Sequence, residues 1–182
     1  MVKSPILAQQ EQELEKEELG RRLLASARNE LYLQLRYLDL ALGSLPFSAG
    51  EANPAGTDGS CLYFTPDSLM RLYRRSRAQV VRLYLHTLFH CLFCHPFDRG
   101  EREEGLWDLA CDVAVEALID ELCLKCAHVS SGAFRKSCIA RLREGLPVLT
   151  AEGIYRELSE YALSESERER WQEEFHPDDH RL

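Results

Sequence analysis

Three of the six histidines in this chain fall close together, His86, His90 and His95, within the apolar run Leu83 to Phe97, LYLHTLFHCLFCHPF. His86 and His90 stand four apart, so on a helix both imidazoles leave one face a turn apart, a spacing that suits a single metal ion. The bland alternative is two imidazoles on a half-buried helix. A second set of chemically active side chains follows in LWDLACDVAVEALIDELCLKC, Leu106 to Cys126, where Asp108, Asp112 and Glu116 recur at the same spacing. Asp112 and Glu116 lie deepest among apolar neighbours, where a carboxylate needs a partner or a metal. The alternative is a row of acids on a solvent face.

Three donor sets compete. The first joins His86 and His90 to Asp112, since two helical histidines plus a carboxylate from a second helix are a standard zinc arrangement that leaves one position for water. The second takes His95 as the third ligand, because it follows His90 by five residues at a helix end and can fold back. The third is a four-cysteine site from Cys91-x-x-Cys94 and Cys123-x-x-Cys126. Both cysteine pairs sit in apolar helical segments without the Gly and Pro of a zinc ribbon, and free cysteine is among the most buried residue types, so core thiols are the stronger reading. In zinc-hydrolase helices with this histidine spacing, Glu directly follows the first His and acts as general base. Here that residue is Thr87, whose hydroxyl has no useful basicity near neutral pH. Glu116, Asp108 and Asp112 are the carboxylates left to replace it.

The elements that must position these groups are mostly helical. Leu24, Ala27, Leu31, Leu35, Leu38 and Leu42 make a core-facing stripe in a helix expected from about Gln9 to Leu42, with Gly20 as a kink or division point. Gly43 to Gly59 is rich in Gly, Pro, Asn and Asp and reads as loop. Cys61 to Phe64 is a short β-prone run that Leu45 to Ser48 can join as a hairpin. Thr65-Pro66-Asp67 starts a short helix, with Thr65 as N-cap. The histidine helix then runs from Arg77 to Cys94 and ends before His95, because a residue preceding proline avoids the helical region. The acidic helix covers Leu106 to Cys126, and further helices follow at Ala133 to Glu144, from a Thr150 cap to Leu163, and from a Ser164 capping box to Phe175. The expected fold is mainly α, about six helices with a small β-hairpin or sheet. One domain is expected over residues 1–182, in four parts: the N-terminal helix (1–43), the loop and hairpin (44–64), the metal-site helices (65–127) and the C-terminal helices (128–182).

The net charge of −8 argues against a general nucleic-acid binder, which would present a basic face. No apolar run reaches membrane-spanning length, and the N-terminal residues lack a signal-peptide core, so a cytoplasmic protein with no membrane partner is expected. Seven cysteines cannot all pair within the chain, and no structural disulfide is expected. There is no Gly-rich phosphate loop and no nucleophile elbow.

Several of these residues recur in a recognisable order: Thr57-Asp58-Gly59, Tyr63, Pro66, His86, His90, His95-Pro96 and then Trp107-Asp108-Leu109-Ala110-Cys111-Asp112. This order resembles the bacterial putative metallopeptidase domain that precedes a von Willebrand factor A-like (VWA-like) domain, in genes often found beside MoxR-type AAA ATPases. The likeness runs from roughly Leu40 to Leu182, and Asp178-Asp179-His180 is similar to the family's junction with the VWA-like part. It implies a zincin-like helical domain with zinc on His86 and His90 and Asp112 as the matching acid. It also implies that Leu62, Tyr63 and Phe64 form an edge strand along which a peptide lies. The implied partners are a peptide or protein segment and a MoxR-type ATPase system. Two departures stand out: Thr87 replaces the family's Glu, and no VWA-like part follows in this sequence. The expectation is therefore a degenerate member, a pseudoenzyme that binds a peptide or protein without efficient peptidase activity. The alternatives are an active zinc-dependent hydrolase that draws its base from another carboxylate, and a metal-free helical scaffold.

Overall fold

The structure, a computed structural model, describes residues 4–178. Among them are eight α-helices and a three-stranded sheet: α1 (Pro5–Gln34), α2 (Asp39–Ser44), β1 (Phe47–Ala49), β2 (Ala55–Thr57), β3 (Leu62–Phe64), α3 (Pro66–Arg75), α4 (Arg77–Leu92), α5 (Glu104–Glu121), α6 (Ala133–Gly145), α7 (Ala151–Tyr161) and α8 (Glu165–Phe175). The mainly α fold with a small sheet is as the periodicity indicates. None of the described helices is long and apolar enough to cross a membrane.

The first helix differs from its expected course. It runs unbroken through Gly20 and ends at Leu35, whose φ of −120° and ψ of 52° leave the helical region, and a short 3-10 turn leads into α2. Gly20 serves close approach rather than a bend. A Cβ there would lie 2.2 Å from the ring of Phe64, so only glycine lets α1 reach the sheet. Beyond it Leu24, Ala27, Leu31, Leu35 and Leu42 are buried as the stripe predicts.

The sheet corrects the hairpin in two ways. Its order is β1-β3-β2, with β1 parallel to β3 and β2 antiparallel to it. The segment beginning at Phe47 does pair with Leu62 to Phe64, but in parallel, and the true hairpin comes from Ala55–Thr57, inside what reads as loop. Its connection runs from Asp58 to Cys61. Asp58 accepts from the Ser60 and Cys61 amides at 2.8 and 3.0 Å and from Tyr63 Oη at 3.0 Å, while Gly59 takes a φ of +85°. With a strand on each side, β3 is the centre of the sheet, so the backbone of Leu62, Tyr63 and Phe64 is no edge for a peptide to extend. Leu62 and Phe64 are fully buried as well. Thr65 also departs from its expected part: its hydroxyl donates to the Gly50 carbonyl at 3.1 Å instead of capping α3.

The described residues bury two apolar clusters. One joins α1, the sheet and α4 to the C-terminal part of α5 through Val115 and Ile119. The other packs the first half of α5, Leu106 to Ala114, against α6, α7 and α8. Helix α5 belongs to both, and the chemically active side chains lie where it faces α4.

Candidate metal centre

The pairing of α4 with α5 is a polar ladder inside an apolar interface. Arg82 meets Glu116 and Asp120, His86 meets Glu116 and Asp112, and His90 meets Asp112, so the helices run antiparallel. Both helices are buried along this face, with His86 and Asp112 at 0% exposure and His90 and Glu116 at 3%.

Four side chains aim one atom each at a common point. His86 Nε2 lies 3.2 Å from Asp112 Oδ1, 3.3 Å from Asp178 Oδ1 and 2.8 Å from His90 Nε2, and His90 Nε2 lies 3.3 Å from Asp112 Oδ1. The four donor atoms all fall within 4.8 Å of one another. Tetrahedral zinc with bonds of about 2.0–2.1 Å sets its ligand atoms roughly 3.3 Å apart, close to the 2.8–3.3 Å separations of His86 from the other three and of His90 from Asp112. Among the described residues this is the one such group of His, Cys, Asp and Glu.

Each donor is also held from behind. His86 Nδ1 donates to Glu116 Oε1 at 2.9 Å, which leaves Nε2 facing the centre. His90 Nδ1 meets His95 Nδ1 at 3.3 Å. His176 Nδ1 donates to Asp112 Oδ2 at 2.7 Å, leaving Oδ1 for the centre. Thr87 Oγ1 lies 3.3 Å from Asp178 Oδ2 and 3.0 Å from the Leu83 carbonyl. Without a metal, burial opposes a charge on His86, but Asp178, Asp112 and Glu116 outweigh it and hold its pKa well above the ordinary imidazole value. Burial and the adjacent His86 charge push His90 down. Two ring nitrogens facing two carboxylates make an N/O donor set suited to a divalent ion.

Two expected roles change. Glu116 is not poised as a base. It stands behind His86 and is clamped by Arg82 Nε at 2.8 Å and Arg135 Nη2 at 2.5 Å. Burial pushes its pKa up, but the His86 hydrogen bond and the charges of His86, Arg82 and Arg135 pull it down to about 2, where a carboxylate is a feeble proton acceptor. His95 does fold back, on a turn made by Cys94 at φ 58° and secured by the Trp107 indole donating to the His95 carbonyl at 3.2 Å. Its ring reaches the far side of His90 and not the centre. The two cysteine pairs belong to no such donor group among the described residues. Cys94 and Cys123 are exposed and Cys91 and Cys126 half-buried, because α4 ends at Leu92 and α5 at Glu121, leaving the later cysteines on turns.

Asp178 and His176 are the residues that sequence reasoning missed. Nothing in helical periodicity points to them, since they follow α8 on irregular chain. The signal present was two histidines and two aspartates in HPDDHRL. Asp179 and His180, which complete the junction-like motif, lie outside the described residues.

A cavity of about 190 Å³ opens onto the centre, lined by His90, His95, Asp178, Trp107, Asp108 and Arg99 among others. Residues 20–181 match the model of a family described as a putative metallopeptidase domain. The chain belongs to that family. No curated protein and no solved structure matches it. The buried His/Asp cluster is a group of side chains that could hold a metal ion in a domain so described.

Proposed function

We propose that this domain holds a divalent metal, zinc by the chemistry of its donors, on His86, His90 and Asp112, and that it binds a peptide or protein segment without cleaving it efficiently. The observation that carries the reading is the convergence of His86 Nε2, His90 Nε2 and Asp112 Oδ1, each with its remaining polar atom engaged by a neighbour. Bound zinc would supply Lewis acidity at the inner end of the cavity. The missing piece is the general base beside His86. Thr87 stands where the base belongs, Glu116 is held by two arginines, and Asp112 faces the centre. Loss of general-base catalysis costs roughly 10²–10⁴ in rate. The turn after α4 supports the binding role: Pro96 lines the cavity, while neighbouring Phe93 and Phe97 are exposed at 48% and 71%. One observation favours a second reading, a working zinc hydrolase: Asp108 lines the same cavity as His90.

The test is metal content by mass spectrometry after dialysis against zinc, combined with a peptide-library cleavage assay. One zinc per chain, abolished in His86→Ala, with no cleavage, is expected. Protein that emerges without zinc would refute the metal. Chelator-sensitive cleavage lost in His90→Ala and in Asp108→Asn would establish the hydrolase instead.

A further inference from the structure

We infer that Asp178, positioned by Thr87, is the fourth protein ligand of the centre, so that Thr87 makes this a closed site in which a carboxylate stands where a catalytic site keeps water. The inference rests on the metal reading and extends it. Catalytic zinc sites have three protein ligands and one open position, whereas structural sites are closed by four. Asp178 Oδ1 lies 3.3 Å from His86 Nε2, within the same donor group as His90 and Asp112. Asp178 is itself 97% buried, being 3% exposed.

Residue 87 decides whether a carboxylate can sit there. The Thr87 hydroxyl faces Asp178 Oδ2 at 3.3 Å and is fully buried. A glutamate at that position would press a second carboxylate against Asp178, and like charges in a buried site repel strongly. A threonine carries no charge, and its one hydroxyl proton is shared between the Leu83 carbonyl at 3.0 Å and that Asp178 oxygen at 3.3 Å. The exchange that removes a base therefore also creates the seat for a ligand.

The segment after α8 acts as a strap. Phe175 is buried beneath the Arg135 guanidinium, 4.9 Å from the ring centre, and anchors it. The next residue, His176, grips Asp112 from behind at 2.7 Å, and Asp178 enters the centre two residues later. The metal would then tie this strap to α4 and α5, which makes Thr87 a positioning residue rather than a catalytic one.

Zinc competition titrations and cobalt(II) absorption spectra of the full chain test this, with circular dichroism to verify folding. The unaltered protein should give the intense visible bands of four-coordinate cobalt. Asp178→Asn and Asp178→Ala should keep one metal per chain on His86, His90 and Asp112, with weaker, shifted cobalt bands and zinc affinity reduced at least about 100-fold. Thr87→Val should lower zinc affinity by roughly 10–100-fold, the usual cost of losing a group that orients a ligand, and Thr87→Ser should recover it. Amide exchange at His176 and at residue 178 should slow when zinc is added to the unaltered chain and not to Asp178→Ala. If both Asp178 variants bind zinc as tightly as the unaltered protein, with unchanged cobalt spectra, this inference fails while the three-ligand centre stands. If His86→Ala and His90→Ala bind metal normally, the metal reading fails and takes this inference with it.

Discussion

The side chains around the centre work in pairs, one atom facing inward and one held from outside. Glu116 shows how the outer atom matters. Its Oε1 accepts from His86 Nδ1 and so selects the ring form with Nε2 turned inward. Glu116→Gln keeps the shape but weakens that hold, and zinc affinity should fall roughly 10–100-fold by competition titration; unchanged affinity would show that His86 is oriented by packing alone. Asp58 applies the same logic in a turn. Amide and hydroxyl donors from Ser60, together with Cys61 and Tyr63, hold its carboxyl at about 2, below the ordinary value of 3.8. A depressed folded-state pKa contributes stability that is present above the unfolded value and is lost as pH falls through the folded one. The hairpin turn should therefore keep its ionised cap at pH 4 and lose it only towards pH 2. A carbon-detected titration of Asp58 with a midpoint near 4 would contradict this.

At the scale of elements, α4 and α5 carry a buried ion cluster beside the candidate centre. Arg82 spans Glu116 and Asp120 at 2.8 and 2.7 Å, and Arg135 from α6 meets the same two acids at 2.5 and 3.0 Å. Such a cluster can add little net stability when complete, but breaking it strands a buried charge at a cost of about 3–5 kcal/mol. Arg82→Ala should lower unfolding free energy by about that amount in urea titrations; a loss under about 1 kcal/mol would mean that Arg135 and water compensate. Helix α1 meets the sheet through the absence of a side chain. With the Phe64 ring only 2.2 Å from an added Cβ, Gly20→Ala overpacks the contact and should cost about 1–3 kcal/mol, despite alanine's better helix propensity. A stabilised variant would show that Phe64 can turn aside.

Across the whole molecule, the proposed centre sits where two apolar clusters share α5 and where the segment after α8 returns to α4. A metal there would cross-link parts of the chain more than 90 residues apart, with Thr87 and Asp178 separated by 91 positions. Ligand that binds only the folded state stabilises it by mass action, about 2.7 kcal/mol at 100 times the dissociation constant. Zinc at that excess should raise Tm by roughly 5–10 °C in a protein of this size, and chelation should reverse the rise. An unchanged Tm would argue that these residues form a metal-free polar core.

Much of this was legible from residue order because it depends on local rules. The four-residue spacings of His86 with His90 and Asp112 with Glu116 set them on single helix faces wherever those helices went. The Ser164 capping box and the Thr150 cap likewise depend only on nearby residues, and both are present. What the tertiary structure alone decided concerns groups whose roles depend on distant chain. Whether Glu116 is a free base or a clamp turned on Arg82 and Arg135 from two other helices, and whether β3 is an edge or a centre, follow from packing between segments that no local pattern encodes. The closest case is Asp178: it lies on irregular chain without periodicity, and only the return of that chain past α4 brings its carboxylate against Thr87, the one residue whose change of type the sequence had already exposed.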